Sequence, residues 1–265
     1  TWLTVGNDFL EAVTIDGARV FLPPWGAYFS SACAIEDFLP QGGTPDIFTQ
    51  FRKEVERYVP VREPLPTPER IPPASVSIPA GVIPELKDFG HAPFVPDSRA
   101  VLPFRGGETA GLERLRYYLW ETYLARTYKE TRNGLLGADY SSKLSPWLAN
   151  GSLSARQVYH QVKRYEREVV RNQDTYWLIF ELIWRDYFKY ISLKHGSRIF
   201  SLSGIRGRRL HWKDEAEALQ AWTEGQTGND FVDANMRELA ATGWMSNRGR
   251  QNVASYWAKE LRQDW

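Results

Sequence analysis

Apolar positions change period along the chain, and the change divides it. Near the start lie two short β-rich runs, Ala12-Val13-Thr14-Ile15 and Ala18-Arg19-Val20-Phe21-Leu22, separated by Asp16-Gly17. Asp-Gly between such runs predicts a β-hairpin, and Pro23-Pro24-Trp25-Gly26 ends the second run. After a Pro45-Asp46 start, Ile47, Phe48, Phe51, Val55 and Tyr58 stand at helical spacing, which predicts a helix within residues 45–58. Eleven of the chain's 16 prolines then fall between Pro60 and Pro103. They hold the backbone extended and remove ladder donors, so this stretch reads as a connector.

Past Gly106-Gly107 the pattern turns helical and stays so. Leu112, Leu115, Leu119 and Tyr123 share one face, and Ser154-Ala155-Arg156-Gln157 has the form of a capping box that opens a helix. Residues 175–194 are apolar on nearly every side, as in a helix at the middle of a helical domain. Two more helices are expected at residues 234–242, stopped by Gly243, and at 248–262. The prediction is a mainly α fold.

Composition narrows the picture. The formal net charge is +1, with 43% hydrophobic and 25% charged residues, an ordinary soluble balance. Any nucleic-acid surface would therefore have to be local. Cys33 stands alone, which excludes an intrachain disulfide framework and a cysteine-rich zinc site and suits a reducing compartment. No apolar run nears the roughly 20 residues of a membrane span. The 11 tryptophans can fill a core or stack on planar ligands. The chain begins at Thr1 and ends at Trp265 straight after an amphipathic stretch, so both ends read as cuts through a longer protein.

Three clusters carry possible chemistry. Tyr128, Lys129 and Arg132, followed by Tyr140-Ser141-Ser142-Lys143-Leu144-Ser145, gather hydroxyls and cations before a helical stretch. Such a group can cradle phosphate, or be a polar loop with ordinary caps. Glu181, Trp184, Arg185 and Asp186 interrupt the apolar helix. Glu181 and Arg185 are spaced for an intrahelical ion pair, or they line a cavity in which Arg185 meets phosphate and Trp184 offers a stacking face. Trp244 to Asn252 combines an aromatic, amides, Arg248 and Arg250 at a helix start, an anion site or a solvated basic face. No histidine spacing suggests a metal site or a catalytic triad.

These stretches resemble the photolyase/cryptochrome family. Tyr128 to Leu148, Thr175 to Phe188 and Val232 to Ser255 carry the resemblance in the family's order, and their wording is most similar to the DASH cryptochromes. The match is strong over residues 106–265 and looser over Pro45 to Glu56. It implies a helical FAD-binding domain at 106–265, a Pro-rich linker at 60–105, and the end of an α/β antenna domain at 1–59. By position, Tyr128, Ser141, Ser142, Lys143, Leu144 and Ser145 match contacts to the pyrophosphate and ribityl groups of FAD. Arg185, Asn247 and Arg250 match contacts to its ring. Glu181, Trp184, Asn247 and Arg248 match positions facing a flipped pyrimidine dimer, with Glu181, Trp184 and Asn247 in catalytic roles, and Arg132 matches a DNA-backbone contact. Trp212 and Trp265 match the distal and middle members of an electron-transfer chain.

The implied activity is light-driven, FAD-dependent repair of cyclobutane pyrimidine dimers, preferentially in single-stranded DNA, by a monomeric cytoplasmic protein; an organelle is the alternative if a targeting segment was lost, and a folate-type antenna has room in the missing domain. A Trp face suits a base taken out of its stack, and Glu181 suits stabilisation of the reacting dimer. The competing readings are a blue-light photoreceptor that binds nucleic acid without repair, and a helical nucleic-acid module without cofactor. Three departures stand out: Gly228-Asn229-Asp230 where the family has Gly, an aromatic and Pro, Ala155 in place of Pro, and Ser152 in place of Cys. The family's later acidic flavin contacts, its N5-facing residue and its proximal tryptophan have no counterpart. The 265-residue chain alone is accordingly expected to hold FAD weakly.

Overall fold

The computed structural model describes residues 2–5, 8–15, 18–22, 43–72, 79, 81–92 and 95–264. Three antiparallel strands come first, β1 (Trp2–Val5), β2 (Asp8–Ile15) and β3 (Ala18–Leu22), paired in that order. Ile15 pairs with Ala18, so two residues connect β2 to β3, as the hairpin prediction required. The turn itself, Asp16-Gly17, lies outside the described residues, as do Pro23-Pro24-Trp25-Gly26 and Cys33.

Helix α1 (Phe48–Tyr58) begins at Phe48, with no side-chain cap at Ile47. Asp46 does not open the helix. Its carbonyl accepts from Tyr187 Oη at 2.7 Å and its carboxylate pairs with Lys194 at 2.8 Å, which anchors the incoming chain. The rest of the described chain carries α2 (Glu108–Arg116), the single turn α3 (Tyr128–Thr131), α4 (Ser145–Asn150), α5 (Ala155–Glu168), α6 (Gln173–His195), α7 (Ala216–Glu224), α8 (Asp230–Thr242) and α9 (Asn247–Ser255).

The capping box of α5 forms as expected: Ser154 N donates to Gln157 Oε1 at 2.9 Å and Ser154 Oγ accepts from Arg156 N at 3.2 Å. Two long helices are interrupted instead of continuous. After α2 the backbone widens into a π-turn at Tyr117–Glu121 and then breaks at Tyr123, whose φ of 56° is left-handed. Residues after α9 widen in the same way at Tyr256–Glu260. The departure at Gly228-Asn229-Asp230 costs no helix start, because Asn229 Oδ1 caps Val232 N at 3.2 Å. Behind it the Asp233 carboxylate takes Thr227 N at 2.8 Å and Gly228 N at 3.1 Å.

One core holds α1, α2, α5 and α6 together, with Phe51, Leu119, Leu153, Val162 and Tyr165 fully enclosed. Burying such side chains is worth about 1.5–3 kcal/mol each. A smaller core of Val232, Met236, Met245 and Val253 joins α8 to α9. Gly249 permits that packing, since a Cβ there would lie 2.1 Å from Asn235 Oδ1. The connector holds one 3₁₀ turn, Leu86–Phe89, among its described residues. It is fastened at both ends: His160 Nε2 lies 2.9 Å from the Arg62 carbonyl, and Phe104 stacks on Trp244 with ring centroids 4.9 Å apart.

Candidate functional site

The loop at residues 138–145 leads into α4, and Arg114 of α2 holds it from behind. Arg114 Nε donates to the Ser142 carbonyl at 3.0 Å, and Nη2 donates to the carbonyls of Ala138 at 2.8 Å and Ser141 at 3.2 Å. Nη1 reaches Asp139 Oδ1 at 3.4 Å, and Tyr117 Oη donates to the other Asp139 oxygen at 3.0 Å. A trans peptide points its N–H opposite its C=O. With three carbonyls turned to Arg114, the N–H groups of Asp139, Ser142 and Lys143 therefore face away from it. Those of Ser142 and Lys143 have no partner among the described residues.

Lys143 behaves differently from a free surface lysine. Its φ of 54° is left-handed, and the side chain turns inward until only 3% is exposed. Nζ lies 3.3 Å from the Tyr140 ring centroid and 5.0 Å from that of Trp244, with no hydrogen-bond partner among the described residues. Burial, aided by nearby Arg114, pulls its pKa down to about 7. Its cationic end is thus packed between rings, and the residue offers the loop's concave side a backbone N–H.

Ser141 and Ser142 are half-buried, Leu144 is buried, and Ser145 is exposed at the first position of α4. With six residues, α4 is too short for a large dipole, so the donors here are loop N–H groups, hydroxyls and Arg185. Arg185 Nη2 donates to the Leu148 carbonyl at 3.2 Å, which brings α6 against this loop. Tyr128 is buried edge-on to Tyr118, and burial holds its phenol well above the usual range. Loop N–H groups, the serine hydroxyls and Arg185 together make a donor set that fits a pyrophosphate.

A second group forms on the face of α6. Arg132 Nη1 donates to Glu181 Oε1, and the Arg132 guanidinium lies 5.7 Å from the Trp177 ring centroid. The expected Glu181–Arg185 pair does not form. The helix turns Arg185 towards Leu148 and Asp186, while Glu181 meets α3. Burial raises the Glu181 pKa, opposed by Arg132.

Trp184 is not bare on both sides either. Phe48 of α1 lies flat on it, with centroids 3.5 Å apart and 8° between planes. Tyr187 meets it edge-on at 5.6 Å, and Phe188 stands 5.4 Å away at 26° and is 59% exposed. Arg248 Nη2 donates to Asn133 Oδ1 at 2.8 Å, so Arg132 and Arg248 adjoin through Asn133. Asn247 is exposed at the start of α9, where Ser246 Oγ caps Gly249 N at 2.9 Å. Arg250 is also exposed, and its Nε donates to the Met245 carbonyl at 3.3 Å.

Trp212 lies elsewhere, lining a groove of about 1150 Å³ with Trp222 and Trp257. Its Nε1 donates to the Leu202 carbonyl at 2.8 Å. Trp265 lies outside the described residues. The structure thus gathers residues 138–148 with Arg185, and Arg132 with Glu181 and Arg248, in two groups joined by α6. The sequence reading missed Arg114. Its signal was a cation beside Leu115 with no carboxylate one turn away on its own face, which in a buried position requires a distant partner.

Among the described residues no helix is long and apolar enough to cross a membrane, and no group of side chains could hold a metal ion. Residues 177–265 match the family model described as the FAD binding domain of DNA photolyase. Over 221 residues the chain is 56% identical to a cryptochrome DASH of Gloeobacter violaceus, covering 83% of this chain and 44% of that protein. It is 45% identical to the Synechocystis cryptochrome DASH over 99% of this chain and 53% of the relative. The crystal structure of a Synechocystis cryptochrome superposes with a TM-score of 0.83, at 46% identity over 89% of this chain and 49% of the other. A bacterial class III photolyase from Agrobacterium tumefaciens gives 0.72 at 27% identity, over 87% and 47% of the two chains. The helical domain is an FAD-binding domain, and this chain, which spans about half the length of the relatives it matches, belongs to the photolyase/cryptochrome family, with DASH cryptochromes among its similar relatives.

Proposed function

We propose that this protein repairs cyclobutane pyrimidine dimers in DNA, preferentially in single strands, using FAD and light. The observation that carries the reading is the arrangement on α6. One helix turns Arg185 to the pyrophosphate-type cradle and Glu181 to Arg132, with Trp184 between them. Bound FAD supplies light-driven electron transfer, and the residues of this chain do the rest. Arg114 fixes the loop carbonyls, and the freed N–H groups, Ser141, Ser142, Ser145 and Arg185 hold the cofactor's phosphates. Tyr128 closes the cradle from α3, and Asn247 and Arg250 approach from α9. Arg132 meets the DNA backbone and Arg248 faces the flipped dimer, and each releases a side-chain oxygen when it does so.

Glu181, freed from Arg132, then faces the flipped dimer in a partly dehydrated position, where burial, which already raises its pKa, places a carboxyl group within reach of the reacting bases. The dimer stacks on the outer face of Trp184, which requires Phe188 to move aside. Trp212, beside the aromatic groove, passes electrons inward, with Trp265 next in line. The antenna-domain assignment for residues 1–59 belongs to the same proposal.

The test is blue-light repair of a dimer-containing single-stranded oligonucleotide by the flavin-loaded protein. Dimer loss with the parent, and a lower yield per bound flavin in Glu181→Gln at unchanged thermal stability, is the expected result. Binding of the oligonucleotide with no dimer loss would overturn repair and leave the photoreceptor reading.

A further inference from the structure

Between Asp186 and Asp214 the chain carries Lys189, Lys194, Arg198, Arg206, Arg208, Arg209 and Lys213 and no carboxylate, in a protein whose net charge is only +1. Some of these charges are spent locally. Lys194 pairs with Asp46, Lys213 with Glu215, and Arg198 Nη2 donates to the Ile205 carbonyl at 3.2 Å. Arg206, Arg208 and Arg209 are exposed and have no partner among the described residues.

The segment that presents them is built, not loose. Gly204 N donates to the Ser201 carbonyl at 2.7 Å, Arg208 N to the Ser203 carbonyl at 3.0 Å, and the Ser201 and Ser203 hydroxyls lie 2.9 Å apart. Gly204 and Gly207 take φ of 61° and 62°, which lets the chain reverse twice, and Trp212 bonds the Leu202 carbonyl from behind. Phe200, in the same loop, is 82% exposed. Three guanidiniums without partners among the described residues and an exposed aromatic ring on one loop are the elements of a single-strand groove, which binds backbone by charge and bases by stacking.

We infer that the loop at residues 196–211 is a second nucleic-acid contact, holding the phosphates of a single strand to one side of the dimer site. This rests on the proposed action on DNA and extends it along the strand. The loop follows the C-terminal end of α6, so His195 lies 11 residues beyond Trp184, about 16 Å along the helix axis. That is the length of roughly five stacked nucleotides.

The experiment compares the flavin-loaded parent with the variant Arg206→Ala/Arg208→Ala/Arg209→Ala on oligothymidylates of about 4 and 16 nucleotides that carry one central dimer, bound in the dark over a range of salt. The longer strand should bind the variant about tenfold less tightly at low salt, with a log–log salt slope shallower by about 2. The shorter strand should not distinguish the two proteins. The triple Arg→Lys variant should restore slope and affinity, and flavin content and melting temperature should not move in any of them. An unchanged salt slope, or equal losses on both lengths, overturns the inference. If the parent shows no dimer repair yet the slope still falls, the repair reading fails and the loop contact stands. Repair with an unchanged slope removes the loop contact and leaves the repair reading in place.

Discussion

The cradle at residues 138–148 and the face built by Arg132, Glu181 and Arg248 rely on the same contact, guanidinium on oxygen, with opposite consequences. In the cradle, Arg114 is buried and bonds three main-chain carbonyls of half-buried residues. On the face, Arg132 and Arg248 are partly exposed and bond side-chain oxygens, Glu181 and Asn133, that can be exchanged for groups on DNA. A site that must hold one ligand permanently is shaped from behind by groups the ligand never touches. A site that must take and release a strand keeps its cations occupied by replaceable partners. Removing the donor from a part-buried carbonyl costs about 1–3 kcal/mol, whereas an exposed ion pair is worth about 0–1 kcal/mol.

The sharpest way to break the comparison is Arg114→Met. It leaves three part-buried carbonyls without their donor, so we expect a loss of about 1–3 kcal/mol in stability and a large loss of FAD affinity. Chemical denaturation and flavin fluorescence titration measure the two. Trp184→Ala should come next, weakening binding to damaged DNA by roughly ten- to a hundredfold, since base–aromatic stacking is worth about 1–3 kcal/mol per base. Phe188→Ala, which clears the outer face of that indole, should not weaken it. A loss in Phe188→Ala as large as in Trp184→Ala would mean that the exposed phenyl is itself the platform.

Two titrations sharpen the contrast further. Lys143 in the folded chain has a pKa of about 7, below its ordinary 10.5. Between those values the unfolded state binds more protons, so stability rises with pH. The melting temperature of the cofactor-free protein should climb between about pH 7 and 10, and Lys143→Met should flatten the climb. Glu181 is shifted upward, so its ionisation costs the folded state as pH rises through its folded pKa. Glu181→Gln should gain slightly on the parent as pH rises above the ordinary carboxylate range, the smallest effect of the set, because Arg132 compensates in part.

Much of this architecture could be read in the sequence where a single local cause was at work. The α5 capping box, the Gly243 stop and the hairpin register each depend on neighbours in the chain. The places that escaped depend on distant ones. The break at Tyr123 lies inside an unbroken helical pattern, and only the fold of residues 117–127 reveals it. Glu181 and Arg185 had the right spacing for each other, yet Arg132, 49 residues earlier in the chain, took the carboxylate. Trp184 could be picked out as a stacking surface, but nothing local announces that Phe48 would cover one side of it. The resemblance pointed to the loop at residues 140–145 and not to Arg114, which bonds that loop's carbonyls from behind.

The dissociation constant for FAD, measured side by side in Arg114→Met and Arg132→Ala, tests the division into a fixed cradle and an exchangeable face most directly. It should rise by about a hundredfold or more in Arg114→Met and by less than about twofold in Arg132→Ala. Equal losses, or a larger one in Arg132→Ala, would contradict it.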